Sequence, residues 1–239
     1  MHIQNRKIFT EEVYHILDIL LDDGDEARLV GGCVRDFLLG KKINDFDIAT
    51  ERRPEEVLEK LKKNNVKYLT NGLKFGSITA VIGDEKFEIT TLRRDIKGSG
   101  RFPVVEFIND YAEDAIRRDF TFNALYMGYD GTIYDYLGGK KDLEKGIIRF
   151  IGNPRIRILE DSLRILRFFR FFGSCATQMD YEGFCNCIRY KSLISTLSKS
   201  RVKSEYIKIL RSPGGTKILK IMEAYGINPI LPINYCQNA

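Results

Sequence analysis

The spacing of apolar and polar positions changes about halfway along the chain. Near the start, Val13, Ile16, Leu17 and Leu20 fall at helical intervals behind Thr10-Glu11-Glu12, a capping residue followed by first-turn acids, and Gly24 ends the run. Arg28-Leu29-Val30 reads as a short strand broken by Gly31-Gly32, and Cys33 to Leu39 as a helix stopped by Gly40. A strand over Asp45–Ala49 is followed by a helix from Pro54, a residue suited to a first turn, to about Asn64. Ser77–Ile82 and Lys86–Leu92 are β-rich runs around Gly83-Asp84, a hairpin signal. Arg93–Pro103 holds Gly98, Ser99, Gly100 and four basic residues, and reads as a mobile basic loop. Beyond about residue 112 strand signals thin out, and helices are expected at 113–127, 140–145, 156–173, 181–195, 200–211 and 215–225. The pattern predicts an α+β fold: a head of small mixed sheet with helices over 1–150, then an all-helical extension over 151–239.

Composition narrows the class. Apolar residues at 44% and charged residues at 30% exclude a wholly disordered chain. No run approaches the roughly 20 apolar residues a membrane-spanning helix needs, and Met1-His2-Ile3-Gln4-Asn5-Arg6-Lys7 lacks the apolar core of a signal peptide. Cys33, Cys175, Cys185, Cys187 and Cys236 form no CxxC pair, and the two histidines, His2 and His15, sit near the start. That argues against structural zinc and for a cytoplasmic, reducing compartment. Charge is divided: residues 1–139 carry 20 Lys+Arg against 25 Asp+Glu, or −5, while 140–220 carry 18 against 7, or +11. A basic second half suits a polyanion, although a solvated basic helical face has the same count.

Three clusters carry candidate chemistry. Gly31-Gly32 between strand and helix lets backbone approach a phosphate, and Arg35 one turn on offers a guanidinium fork to the same anion; the glycines alone also fit a tight turn. Ten residues later come Asp45 and Asp47, which on a strand project to one face. Converging carboxylates are hard oxygen ligands that leave Mg²⁺ positions for substrate phosphates, while by themselves they also fit a solvated surface strand. Together with the glycine turn they describe a nucleotidyl-transfer centre. Glu88, on the second β-run, would complete the metal site or activate an attacking hydroxyl, or is an ordinary strand acid.

The ordered motifs resemble one family. Gly31-Gly32-x-Val34-Arg35-Asp36 with Asp45-x-Asp47 resembles the opening motif of class II tRNA nucleotidyltransferases, the CCA-adding enzymes, and of the related bacterial poly(A) polymerases in the polymerase-β superfamily. Arg117-Arg118-Asp119-Phe120-Thr121-Phe122-Asn123-Ala124-Leu125 resembles their ribose-recognition motif. Asp135-Tyr136-Leu137-Gly138-Gly139 with Asp142-Leu143 and Ile148-Arg149 resembles the connector between head and neck, and Glu160-Asp161-Ser162-Leu163-Arg164 the nucleotide-selecting helix. The resemblance implies a polymerase-β-like catalytic head and a helical neck. It implies Mg²⁺ at Asp45 and Asp47, with Glu88 beside them, and triphosphate at Gly31, Gly32 and Arg35. Arg118, Asp119 and Asn123 would contact phosphates and sugar, and Asp161 and Arg164 the edge of CTP or ATP, supported by Arg167 and Arg170. At i,i+3 on one helix, Asp161 and Arg164 are able to mimic a base's hydrogen-bonding edge, or to form a plain salt bridge.

The implied reaction is template-independent addition of C, C and A to the tRNA 3′ end. An A-adding enzyme, a poly(A) polymerase or a nucleotide-binding module of little turnover are the alternatives. Arg93–Arg101 occupies the position of the family's flexible loop, which argues against a CC-only enzyme. Phe75–Val81 lacks the Arg-Phe-rich signature of the poly(A) polymerases. Two departures stand out. Ser200 replaces the Glu of the family's Ser-x-Glu-Arg-Ile stretch, and the chain ends at Ala239 where relatives continue into body and tail. A homo-oligomer or helper protein would then share the grip on tRNA.

Overall fold

The computed structural model describes residues 9–21, 26–97 and 104–227. Gly24, the 98–103 part of the expected basic loop, Cys236 and the approach to Ala239 lie outside the described residues. The chain forms two compact units, the first taking 122–139 and all the described residues up to 118, the second taking 119–121 and 140–227.

Unit 1 contains α1 (Glu11–Leu21), β1 (Ala27–Val30), α2 (Gly32–Leu38), β2 (Phe46–Thr50), α3 (Pro54–Lys63), β3 (Lys67–Leu69), β4 (Ser77–Ile82), β5 (Glu85–Thr91), β6 (Arg93–Lys97), β7 (Val104–Phe107), α4 (Tyr111–Ile116), β8 (Leu125–Met127) and β9 (Ile133–Asp135). Seven of these strands form one sheet in the order β3-β4-β5-β2-β1-β8-β9, and β6 and β7 form a separate hairpin. Within the sheet β2 and β5 run parallel, and the other pairs are antiparallel. Leu29, Ile48, Ile89 and Ile78 lie in one cross-strand row and are at most 1% exposed. Asp47 and Glu88 are paired one step away, and strand alternation turns them to the opposite face. Phe46 stacks on Phe87 with centroids 5.6 Å apart, fixing the register of β2 against β5 from the apolar side. The α1 helix buries Val13, Ile16, Leu17 and Leu20 against β1 and α3.

The helix expected over 113–127 is not formed. The α4 helix stops at Ile116, and Leu125-Tyr126-Met127 becomes β8, paired with Val30 and Leu29 of β1. All three are fully buried, and a short continuous apolar run carries no period that separates a buried strand from a helix. Arg93–Lys97, read as loop, is instead the first arm of the hairpin.

Unit 2 contains α5 (Gly139–Glu144, its first residue belonging to unit 1), β10 (Ile147–Ile148), α6 (Pro154–Glu160), α7 (Leu163–Ser174), β11 (Gln178–Met179), α8 (Tyr181–Arg189), α9 (Lys199–Leu210) and α10 (Gly215–Ala224). It is helical apart from the parallel β10–β11 pair. That pair and Phe150, stacked on Phe168 at 5.4 Å, join 140–150 to the helices C-terminal to it, so the units change at 139/140 and not at the expected 150/151. Phe120, Phe150, Phe168, Phe169 and Phe171 form an aromatic core, each at most 4% exposed. The α7 and α10 helices meet at Gly173, where an added Cβ would lie 2.6 Å from Ile218.

Phe168 contacts Phe150, Phe120 and Phe169. Phe168→Ala is expected to cost unit 2 about 3–5 kcal/mol. Urea denaturation followed by circular dichroism measures it, and a loss under about 1 kcal/mol would remove the ring from the centre of that core.

Candidate active site

In unit 1 the chain leaves β1 at Gly31, which holds φ 75° and ψ −121°, a backbone that side-chain-bearing residues rarely adopt. An added Cβ there would lie 3.5 Å from the Asn123 carbonyl oxygen and 3.6 Å from Arg118 Nη1. Glycine thus serves both the turn and the close approach of two other site residues. The Arg35 guanidinium donates to Asn123 Oδ1 at 2.7 Å and, through Nε and Nη2, to the two oxygens of Asp36 at 2.9 Å each. The structure therefore brings Gly31, Gly32, Arg35, Arg118 and Asn123 together, from α2 and from the segments flanking α4 and β8.

The carboxylates lie on the neighbouring strands. Asp45 is exposed just before β2, Asp47 is half-buried within it, and Glu88 is exposed on β5 at the register position beside Asp47. Burial pushes the Asp47 carboxyl up to about 6; Glu88 and Asp45 add to the rise, while Arg118 and Arg35 oppose it. A carboxyl held up partly by its acidic neighbours is a setting that a divalent cation relieves. Among the described residues no group of three or more His, Cys, Asp or Glu is arranged to hold a metal. The acids at the start of β2 and on β5 are hard oxygen donors, the ligand type that divalent cations take. Behind them the buried Cys33 thiol donates to the carbonyls of Val30 (3.2 Å) and Asp47 (3.6 Å), fastening α2 to both strands.

One residue outside the sequence motifs organises this site. Asp114, fully buried on α4, accepts from Arg117 Nε (2.8 Å), Arg118 Nη2 (2.9 Å), the Tyr126 hydroxyl (2.7 Å) and the Arg93 backbone N–H (3.2 Å). Burial works against its charge, but Arg118, Arg117 and Tyr126 together hold the carboxyl well below the usual carboxylate range. Its spacing, three and four residues before two arginines, was the available signal.

In unit 2 the expected nucleotide-selecting helix is interrupted. α6 ends at Glu160, Asp161 is extended (φ −150°, ψ 102°), and α7 starts at Leu163. Asp161 and Arg164 are therefore not partners within one continuous helix. Asp161 instead accepts from the Leu163 N–H (3.2 Å) and from Arg201 on α9 (2.8 Å), a tertiary pairing that outweighs local helix continuity. Arg164 donates to Glu160 (2.7 Å) and to the Arg157 carbonyl (2.9 Å). Further along α7, Arg167 pairs with the buried Asp119 (Nε to Oδ2, 2.6 Å) and Arg170 with the buried Glu205 (2.7 Å). Arg164, Arg167 and Arg170 are half-buried three residues apart, so they form one stripe on α7. The hydroxyl of Ser200, one of the two departures from the family pattern, lies 3.2 Å from that of Ser198, and the ties to Asp161 and Arg170 are made by Arg201 and Glu205.

The poly A polymerase head domain matches residues 27–149, about half of the chain. The chain is 44% identical over 172 residues to the mitochondrial CCA tRNA nucleotidyltransferase 1 of Danio rerio, covering 72% of this chain and 40% of that protein. It is 36% identical over 219 residues to the CCA-adding enzyme of Lactobacillus gasseri, covering 91% of this chain and 54% of that protein. Among solved structures, the Bacillus stearothermophilus CCA-adding enzyme in complex with CTP superimposes with a TM-score of 0.83 at 33% identity, covering 92% of this chain and 53% of that one. The chain spans about half the length of the curated relatives it matches.

Because the folded value of Asp114 is depressed, its stabilisation is fully present above the ordinary carboxylate value of about 3.9 and declines as pH falls from there toward the folded value. Asp114→Asn leaves the arginines facing a neutral group and is expected to cost about 3–5 kcal/mol at pH 6. Urea midpoints at pH 6 and pH 3 check the sign, with a smaller acid-induced loss in the variant than in the unaltered protein.

Proposed function

The chain belongs to the poly A polymerase head-domain family, and we propose that it extends the 3′ end of tRNA with C, C and A, taking CTP and ATP without a nucleic-acid template. The observation that carries this reading is the Asp47–Glu88 register pair with Arg118 and Arg35 in electrostatic reach, beside the Gly31 turn that Arg118 and Asn123 approach. Gly31, Gly32, Arg35 and Arg118 would hold the triphosphate, and Asn123 the sugar. The RNA 3′-hydroxyl oxygen bonds to the α-phosphorus, its proton is released, and the bond to the β-phosphate breaks so that pyrophosphate leaves with the electron pair. Magnesium held by Asp45 and Asp47 would supply charge neutralisation at the α-phosphate and its attacking oxygen. Glu88, beside Asp47, takes the role of guiding the hydroxyl.

Asp161 and Arg164 would present acceptor and donors to the base. A carboxylate has about four acceptor sites, so the two bonds Asp161 makes do not exhaust it. Arg167, Arg170 and Asp119 support that region from α7 and its partner segment. The exposed Lys199, Lys203, Lys208 and Arg211 would meet RNA phosphates in a salt-sensitive way. The rest of the tRNA would be gripped by parts of the relatives that this chain does not span, by a second copy or by a helper protein. Among the described residues no disulfide joins Cys33, Cys175, Cys185 or Cys187, which suits a reducing compartment such as the cytoplasm. No helix of the described residues is long and apolar enough to cross a membrane.

The test is primer extension with Mg²⁺ on tRNA ending at the discriminator base, at -C and at -CC, with the 3′ ends sequenced. The expected result is growth to CCA and a stop, abolished in Asp45→Ala and Asp47→Ala, with circular dichroism unchanged. Addition of A to the -CC substrate alone would move the assignment to an A-adding enzyme. A lengthening A tract would make it a poly(A) polymerase.

A further inference from the structure

We propose that Asp114 is a positioning residue that couples the β6–β7 hairpin to the placement of Arg118 at the Gly31 turn, and so to the grip on nucleotide. The grip on nucleotide rests on the proposed function; the coupling itself rests on geometry. The two oxygens of one fully buried carboxylate divide their work. Oδ1 accepts from the N–H of Arg93, the first residue of β6, and from Arg117. Oδ2 accepts from Arg118 and from the Tyr126 hydroxyl. About four acceptor sites meet four donors, so the carboxylate has no slack. A shift of β6 that withdrew the Arg93 N–H, or a turn of α4 along with it, would leave a buried polar group without its partner, which folded proteins avoid.

The hairpin is fastened to this point from several sides. The Arg93 side chain reaches back to the Phe75 carbonyl, and the N–H of Ile108 donates to the Leu92 carbonyl at 3.0 Å, closing the hairpin's base. Next along β6, Arg94 bridges Glu106 on β7 (2.7 Å) and Glu113 on α4 (3.0 Å), the residue that precedes Asp114. Two consecutive residues of β6 therefore grip two consecutive residues of α4. The Arg94 pair is exposed, hence screened and easily exchanged, while the Arg93–Asp114 bond is half-buried and ends on a fully buried carboxylate. At the far side of the carboxylate, Arg118 Nε also contacts the Tyr126 hydroxyl at 3.2 Å, and its Nη1 lies where a Cβ on Gly31 would touch it. Displacing the hairpin is thus transmitted to Arg118 through a single side chain.

Three variants test this: Asp114→Asn, Tyr126→Phe, which removes one donor to Oδ2 together with the hydroxyl that Arg118 Nε reaches, and Arg94→Ala, which frees the exposed fastening. In steady-state extension, Asp114→Asn is expected to raise KM for CTP and ATP about tenfold with kcat per folded molecule within about threefold, and Tyr126→Phe to move KM the same way by less. Arg94→Ala should raise KM alone yet add nothing in the Asp114→Asn background, the non-additivity of one shared route. Unchanged KM in both Asp114→Asn and Tyr126→Phe, or Arg94 and Asp114 effects that multiply, would overturn the proposal. Amide hydrogen exchange on the nucleotide-free protein gives a readout that needs no turnover. Tyr126→Phe and Asp114→Asn should speed exchange both in β6 and at 117–118, whereas acceleration confined to one of these segments refutes the coupling. If the unaltered chain extends no primer, the proposed function fails, and the exchange result still decides the coupling.

Discussion

The parallel register of β2 against β5 is the constraint on which the head depends. It places Ile48 beside Ile89 in a row that runs from Leu29 to Ile78, and this row is the apolar floor of the sheet. The same register sets Asp47 beside Glu88 on the other face. A slip by one residue would turn the acids into the core and the isoleucines to solvent, so the apolar row enforces the placement of the acids. For stability alone that acidic pair is unfavourable, because like charges at adjacent register positions repel. Its presence makes sense as a place where charge is to be neutralised by something bound, with Arg118 and Arg35 offsetting part of the repulsion until then.

Unit 2 obeys a different logic. Its interior is a cluster of phenylalanines, and on one side of α7 the arginines stand in a stripe, each fixed by an acid from elsewhere in the unit. Pairs whose acid is buried, as Asp119 and Glu205 are, are costly to break and weak as net stabilisers, so they are better understood as fixing where guanidiniums point. Arg167 with Asp119 and Arg170 with Glu205 do so over long sequence separations. Arg201 does the same for Asp161, which explains why a carboxylate expected inside a helix sits in an extended break between two.

Much of the head was legible in the sequence. The helix starts at Thr10 and Pro54, the β4–β5 hairpin around Gly83-Asp84 and the Gly31 turn are local signals, and local chemistry decides them. The Gly31 turn and the acids of β2 and β5 were legible as candidates because a glycine turn and spaced carboxylates are local sequence signals. What failed was decided by tertiary partners. Leu125–Met127 has the composition of a buried helix end and becomes a strand because β1 offers it an open edge. Asp161 and Arg164 have helical spacing, but Arg201, forty positions away, takes the carboxylate. Asp114 was overlooked because an acid on a short helix looks ordinary until four donors are seen to meet it.

The central claim is that the Asp45/Asp47 pair and the glycine turn of unit 1 form one metal-dependent nucleotide site. Isothermal titration of the chain with CTP and with ATP, each with Mg²⁺ and with EDTA, tests it most directly. Binding of both nucleotides that weakens at least about tenfold without Mg²⁺ and in Asp47→Asn is the predicted result, a difference of about 1.4 kcal/mol. Equal affinity with and without metal, unchanged in Asp47→Asn, would contradict it.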